Sequence, residues 1–174
     1  MNADDVYLRA LEPEDIDFLL ELENNPDYWE VSTTIIPFSR FQMEQYLINT
    51  NNDLFEEKQL RMIIVEKTSG KNVGCIDFYD LDAISRRAYI GVIVLEEFQK
   101  KSFGQQALKL MIDLAFEKLG LHSLAVTVNT RNTASVKLFE KLGFLKQGEK
   151  IDWVFKNGKF CNQYFYQLIN NKDD

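Results

Sequence analysis

Val92-Ile93-Val94-Leu95-Glu96-Glu97-Phe98-Gln99-Lys100-Lys101-Ser102-Phe103-Gly104-Gln105-Gln106-Ala107-Leu108 is the stretch that decides the fold. Its first part closes a near-continuous apolar run from Ala88 to Leu95, the pattern of a strand buried on both faces. From Ala107 the apolar residues recur at helical spacing: Ala107, Leu108, Met111, Ile112, Ala115, Phe116 and Leu119. Gly120 then stands where a helix C-cap is expected. A strand, a turn and a helix start form a geometry that binds phosphate. Free backbone N–H groups and the positive end of the helix dipole both face the turn. Lys100 and Lys101 add charge, and no acid occurs from Phe98 to Ile112. The plain alternative is an ordinary β–α turn with solvated lysines. Neither a Walker loop nor a Rossmann glycine fingerprint is present.

Outward from this stretch the chain reads as one domain, residues 1–174, with no repeat and no Pro-, Gly- or Ser-rich linker. Val6 to Ala10 reads as a first strand. Pro13, Glu14 and Asp15 suit a helix start, and Ile16, Leu19, Leu20 and Leu22 supply its apolar stripe. Ser39-Arg40-Phe41-Gln42 is a capping-box pattern that opens a second helix through about Asn49. Pro26 to Pro37 reads as the loop between these helices. Leu60–Glu66 and Val73–Tyr79 flank Thr68-Ser69-Gly70-Lys71 as a hairpin. Leu124 to Val128 is a short central strand. Asn132 caps the next helix, which Gly143 closes. Asn157-Gly158 turns a final hairpin with strands near 151–156 and 159–168. The expected fold is α/β (α+β): a mixed, mostly antiparallel twisted sheet flanked by helices.

Composition bounds the function. With 45% hydrophobic, 27% charged and 13% aromatic residues, the chain supports a real core and is not disordered. No apolar run approaches the roughly 18 residues of a membrane helix. The acidic start Met1-Asn2-Ala3-Asp4-Asp5 has no signal-peptide h-region. Cys75 and Cys161 are too few for a disulfide framework, so a cytoplasmic location is expected. One histidine and two cysteines do not make an ordinary four-ligand zinc site, and no metal is expected. The net charge of −7 is uneven: residues 1–98 carry 20 acids and 8 bases, residues 99–174 carry 7 acids and 12 bases. Either the halves differ by chance, or the second half meets an anion and the first a cation. No nucleic-acid or membrane partner is expected.

Two motifs then resemble a family. Phe98 to Gly104 is similar to the pyrophosphate loop of the GNAT N-acetyltransferases, Gln/Arg-x-x-Gly-x-Gly/Ala. Asn129 to Phe144, with Asn132, Ser135, Leu138, Phe139, Lys141, Gly143 and Phe144 in register, resembles that family's second signature and is the more specific match. The opening Leu8 to Asp15 and the closing Asn157-Gly158-Lys159 hairpin are similar to the branch that acetylates ribosomal-protein N-termini and spermidine.

The resemblance implies an acetyl-CoA-dependent N-acetyltransferase. Its acceptor would be a primary amine: a small amine, a polyamine or a peptide N-terminus. Transfer would proceed by direct attack in a ternary complex. It implies that Val92, Ile93 and Val94 hold the pantetheine arm, and that Gln99, Lys100, Lys101, Ser102, Phe103, Gly104 and Gln105 form the pyrophosphate turn. It further implies that Asn132, with Ser135 and Lys137 near the nucleotide end, binds the cofactor. Asp77 is the candidate base and acceptor contact, with a plain solvent-facing strand carboxylate as the alternative; Glu30 is a second acceptor contact, and Ser135 a candidate proton donor. A homodimer through the C-terminal hairpin is one expected partner.

Two departures stand out. Lys100 and Ser102 occupy positions where glycine is common, and Phe139 stands where many members carry a proton-donating tyrosine. The alternative reading is a catalytically silent acyl-CoA-binding or sensing module on the same fold. Tyr89 replaces an acid expected in the polyamine branch, which counts against polyamine specificity. His122 reads as a turn residue, Cys75 as a core thiol, and the Trp153–Tyr166 aromatics mostly as packing.

Overall fold

The computed structural model of the protein describes residues 1–29, 36–49, 54–156 and 158–171. Among these, seven strands form one sheet in the order β1-β2-β3-β4-β5-β7-β6. The strands are β1 (Val6–Arg9), β2 (Leu60–Glu66), β3 (Asn72–Asp82), β4 (Arg87–Val94), β5 (Ser123–Asn129), β6 (Leu145–Lys156) and β7 (Lys159–Ile169). Every neighbouring pair is antiparallel except β4 with β5. The helices are α1 (Ile16–Glu23), α2 (Arg40–Asn49), α3 (Leu54–Glu57), α4 (Phe103–Asp113) and α5 (Thr133–Lys141).

Alternating side chains send the two faces of the sheet to different cores. Ile63, Cys75 and Ile93 lie opposite one another across β2, β3 and β4 and pack with Leu19, Leu22 and Met43 from α1 and α2. On the other face, Ile76, Phe78 and Ile90 pack with Ala107, Leu108 and Met111 of α4. The face under α1 and α2 also carries a polar row one step along: Arg61, Asp77 and Gly91 lie opposite one another across the same strands.

Local signals end the helices as their residues dictate. The Ser39 hydroxyl accepts from Gln42 N, while Gln42 Oε1 accepts from Ser39 N at 2.8 Å, a reciprocal capping box. Asn132 Oδ1 accepts from Ser135 N at 3.0 Å. A short 3-10 turn, Pro13–Asp15, leads into α1, and Asp15 folds back to accept from Glu12 N at 2.9 Å.

The structure departs from the sequence expectations in three places. Beyond α4 the regular helix gives way to a π turn, Leu114–Lys118. Left-handed Gly120 (φ 62°) reverses the chain there, so Leu121 N reaches back to Ala115 O. β6 begins at Leu145 rather than near 151. Its first half, Lys-Gln-Gly-Glu-Lys, lies on an edge strand where polar side chains meet solvent. β4 is not buried on both faces: Tyr89 is half-buried, and so are Gly91, Val92 and Val94, where the strand has lost its β5 neighbour. Asn157 of the expected turn lies outside the described residues.

Candidate active site

The parallel pairing of β4 with β5 covers only Arg87–Tyr89 against Ser123–Ala125. From Ile90 to Val94 β4 has no β5 partner, and the strands part into a cleft. Unpaired peptide groups along such an edge can bind an extended ligand as an added strand would. Gly74 on β3 shapes this segment: a Cβ there would stand 2.1 Å from the Ile93 carbonyl oxygen. Only glycine lets β4 approach so closely at this level.

The turn after β4 delivers the second half of the site. Leu95 begins a 3-10 turn, Glu96–Phe98, and α4 starts at Phe103. Gln99 Nε2 donates to Val94 O at 3.2 Å, tying the turn to the strand end. Lys100 and Ser102 both hold left-handed backbone, φ 65° and 63°. Among the described residues, the N–H groups from Lys100 to Gln105 donate to no protein acceptor. They lie at the start of an eleven-residue helix with no acid in its first turn. Open amides, a helix dipole and absent negative charge make an anion cradle. Lys101 does not extend it with its side chain. Its ammonium lies 3.7 Å from Glu66 and over the rings of Phe98 and Phe103. Phe103 is buried in the core.

Helix α5 closes the cleft from the β5 side. Gly104 lies where α4, β4 and α5 meet: a Cβ there would be in van der Waals contact with Val94 at 3.4 Å and Leu138 of α5 at 3.9 Å. Asn132 uses its oxygen as the α5 cap, and its NH2 makes no bond among the described residues. Ser135 is half-buried and Lys137 exposed on the same helix. Val92 and Val94 face α4, whereas Ile93 points to the opposite core and offers the cleft only its backbone. Phe139 is buried edge-on against Phe144, ring centroids 5.1 Å apart, and carries no polar atom.

On the α1–α2 face, β4 presents Gly91. Asp77 lies opposite it on β3. Asp77 Oδ1 accepts from Arg61 Nε at 2.6 Å, and Arg61 Nη1 donates to Glu23 Oε1 at 2.5 Å. Burial opposes the Arg61 charge, but the adjacent carboxylates of Asp77 and Glu23 outweigh it and hold the guanidinium protonated well above its ordinary range. Tyr79 and Tyr89 stack beside this trio, centroids 5.4 Å apart. Tyr28 Oη accepts from Glu96 N at 3.1 Å, linking the α1–α2 loop to the end of β4. Burial pushes the Cys75 thiol far up, which makes it inert, as its core position suggests. Glu30 lies outside the described residues.

Sequence reading missed Arg61, Glu23, Gly74 and Gly91. A charged residue and isolated glycines within apolar strands were the available signals.

Residues 5–145 match the family model of the acetyltransferase (GNAT) domain. The chain belongs to the GNAT acetyltransferase family. It is 28% identical to the spermidine N(1)-acetyltransferase of Escherichia coli K12 over 92% of this chain and 84% of that one. It is also 28% identical to the Vibrio cholerae spermidine N(1)-acetyltransferase, over 99% of this chain and 96% of that one. An uncharacterized N-acetyltransferase, p20 of Bacillus licheniformis, is 30% identical over 95% of this chain and 93% of its own. The solved structure of the Vibrio cholerae spermidine N-acetyltransferase with CoA and spermine superposes with a TM-score of 0.86 at 24% identity, covering 97% of both chains. This GNAT member is an acetyl-CoA-dependent N-acetyltransferase. No helix of the described residues is long and apolar enough to cross a membrane.

Proposed function

We propose that the protein acetylates a primary amine of a small cationic acceptor, polyamine in kind, by direct attack on acetyl-CoA in a ternary complex. The observation that carries this reading is the position of Asp77: opposite Gly91, at the level where β4 has parted from β5. Glycine leaves that face of the strand without a side chain. A thioester lying along β4 would be reached from there.

Charge supports a cationic acceptor. Glu23 and Asp77 share one guanidinium, so the trio carries one uncompensated negative charge. Arg61 also lines a cavity of about 250 Å³ with Leu47, Leu54, Leu60, Glu44 and Glu57. Apolar walls with carboxylates suit an alkyl chain bearing ammonium groups. The names of the Escherichia coli and Vibrio cholerae relatives point the same way.

In the reaction, the nitrogen lone pair of the neutral amine attacks the thioester carbonyl carbon. Unpaired N–H groups of β4 stabilise the developing oxyanion. The C–S bond breaks, and sulfur leaves with its electron pair. The acceptor ammonium gives up one proton through Asp77 to water before the attack, and the nitrogen loses a second by the same route as the C–S bond breaks. Phe139 donates nothing, so coenzyme A departs as a thiolate, an acceptable leaving group for a thiol of ordinary pKa about 8.5. Amides from Lys100 to Gln105 hold the diphosphate, and Asn132 holds the pantetheine. The β6–β7 ribbon, with Trp153, Phe155 and Phe160 exposed, supports self-association as a homodimer.

The test is free-thiol release from acetyl-CoA across spermidine, spermine, simple monoamines and short peptides. Turnover fastest with the polyamines is expected. Turnover with peptide N-termini alone would overturn the acceptor assignment. Binding of acetyl-CoA without turnover on any amine would restore the silent-module reading.

A further inference from the structure

We propose that Arg61 is a positioning residue for the acceptor: its guanidinium fixes the Asp77 carboxylate so that one oxygen stays open to the incoming ammonium. This rests on the reading of Asp77 as the acceptor contact and goes beyond it by naming what sets that contact.

The geometry is specific. Arg61 comes from β2, Asp77 from β3 and Glu23 from the end of α1. Two arms of one guanidinium grip two acids. Nε lies 2.6 Å from Asp77 Oδ1, and Nη1 lies 2.5 Å from Glu23 Oε1. Nη2 is 3.5 Å from Asp77 Oδ2, at the limit of a hydrogen bond. Oδ1 therefore carries the short bond, while Oδ2, held only by this long one, keeps a lone pair for a strong donor. A planar, forked donor fixes carboxylate orientation in a way that a single ammonium does not. The side chains are about one-fifth exposed for Arg61 and Asp77 and 5% exposed for Glu23, so water is a poor substitute.

The anchoring is also directional. Glu23 is buried, and its backbone carbonyl accepts from Trp29 Nε1 at 2.8 Å, so α1 and the start of the following loop hold the outer end of the fork. The inner end reaches Asp77, opposite Gly91. Arg61 simultaneously lines the cavity assigned to the acceptor tail. One guanidinium thus joins the wall of that cavity to the carboxylate beside β4. The role requires two things of position 61: positive charge to balance two acids, and a fork to orient one of them.

The experiment is steady-state thiol release with spermidine by Arg61→Lys, Arg61→Met and Asp77→Asn, each checked by circular dichroism, with KM measured separately for spermidine and acetyl-CoA. Loss of the fork in Arg61→Lys should raise KM for spermidine about threefold or more with KM for acetyl-CoA unchanged. Arg61→Met should raise it by about tenfold or more, again on the amine side alone. A folded Arg61→Met with the parental KM for spermidine would overturn the proposal. If Arg61→Met fails to fold, Arg61→Lys decides: an unchanged KM for spermidine, or equal changes in both KM values, would overturn it. Asp77→Asn with the parental KM and kcat would instead remove the Asp77 reading, which separates the two failures.

Discussion

The Cβ that Gly74 lacks would lie 2.1 Å from the carbonyl oxygen of Ile93, across the β3–β4 ladder. The obstructing atom is backbone, so it cannot turn aside as a side chain would. Gly74→Ala should displace the last residues of β4, the segment that borders the cleft. We expect a loss of about 2–3 kcal/mol in denaturant unfolding, in the range of overpacked cores. Acetyl-CoA affinity, measured by calorimetry, should fall as well. A variant with parental stability and affinity would contradict this account of the strand.

Ser102 lies in the left-handed region at φ 63°. That conformation costs a residue with a Cβ about 1–2 kcal/mol, against about 0.5–1 kcal/mol for the extra chain entropy of glycine. Ser102→Gly should therefore stabilise the protein modestly, by about 0.5 kcal/mol, and raise Tm by roughly 1–2 °C. Acetyl-CoA binding should be equal or tighter, since the amide direction is preserved. Ser102→Val should lower both stability and affinity. A lower Tm for the glycine variant would show that the serine hydroxyl, not the backbone, governs this turn.

Asn132 has two roles that one substitution tests together. Its oxygen caps α5 at Ser135 N, and its NH2 makes no bond among the described residues, so it is open to a ligand. Asn132→Ala should cost about 1 kcal/mol of stability. Acetyl-CoA affinity should drop by about tenfold, while Asn132→Asp should keep the cap and still lose affinity. Affinity unchanged in both variants would remove Asn132 from the cofactor site.

These local features were legible in the sequence because they are short-range. The Asn132 cap, the Ser39 box and the turn before Gly104 are each decided within four or five residues. Lys100 and Ser102 stand where glycine is common, which marks close backbone approach, but their positive φ was not legible and comes from the structure. The Arg61–Asp77–Glu23 trio was not legible, because it depends on the register of β2 with β3 and on the packing of α1 over them, joining residues 16 and 38 apart. The same holds for Gly74, whose necessity lies in the approach of a neighbouring strand. The outward half of β6 was missed because polar residues at a sheet edge leave no apolar alternation. Lys101 shows the reverse limit: its charge suggested phosphate, but the fold turns the side chain towards Glu66.

Asp15 links the first helix to the sheet and sets an acid limit on stability. Its carboxylate is buried, which alone would favour the neutral acid. The forked bonds from Arg9 at 2.6 Å, with Glu12 N and the Asn72 amide, outweigh burial and hold it below the usual carboxylate range. A depressed folded value means the stabilisation is complete above the unfolded value, about 3.9, and is lost as pH falls through the folded one. Unfolding free energy should therefore fall progressively below about pH 4. Asp15→Asn should lose about 3 kcal/mol at pH 7 and show a flatter acid limb. An acid limb identical to that of the parent would exclude Asp15 as its source.

Hydrogen–deuterium exchange with and without acetyl-CoA reads the backbone amides of β4 and of the turn before α4 themselves. Exchange should slow in two segments: 90–94, along the part of β4 that has left β5, and 100–105, at the start of α4. Protection confined to other parts of the chain, with these two segments unchanged at saturating acetyl-CoA, would contradict it.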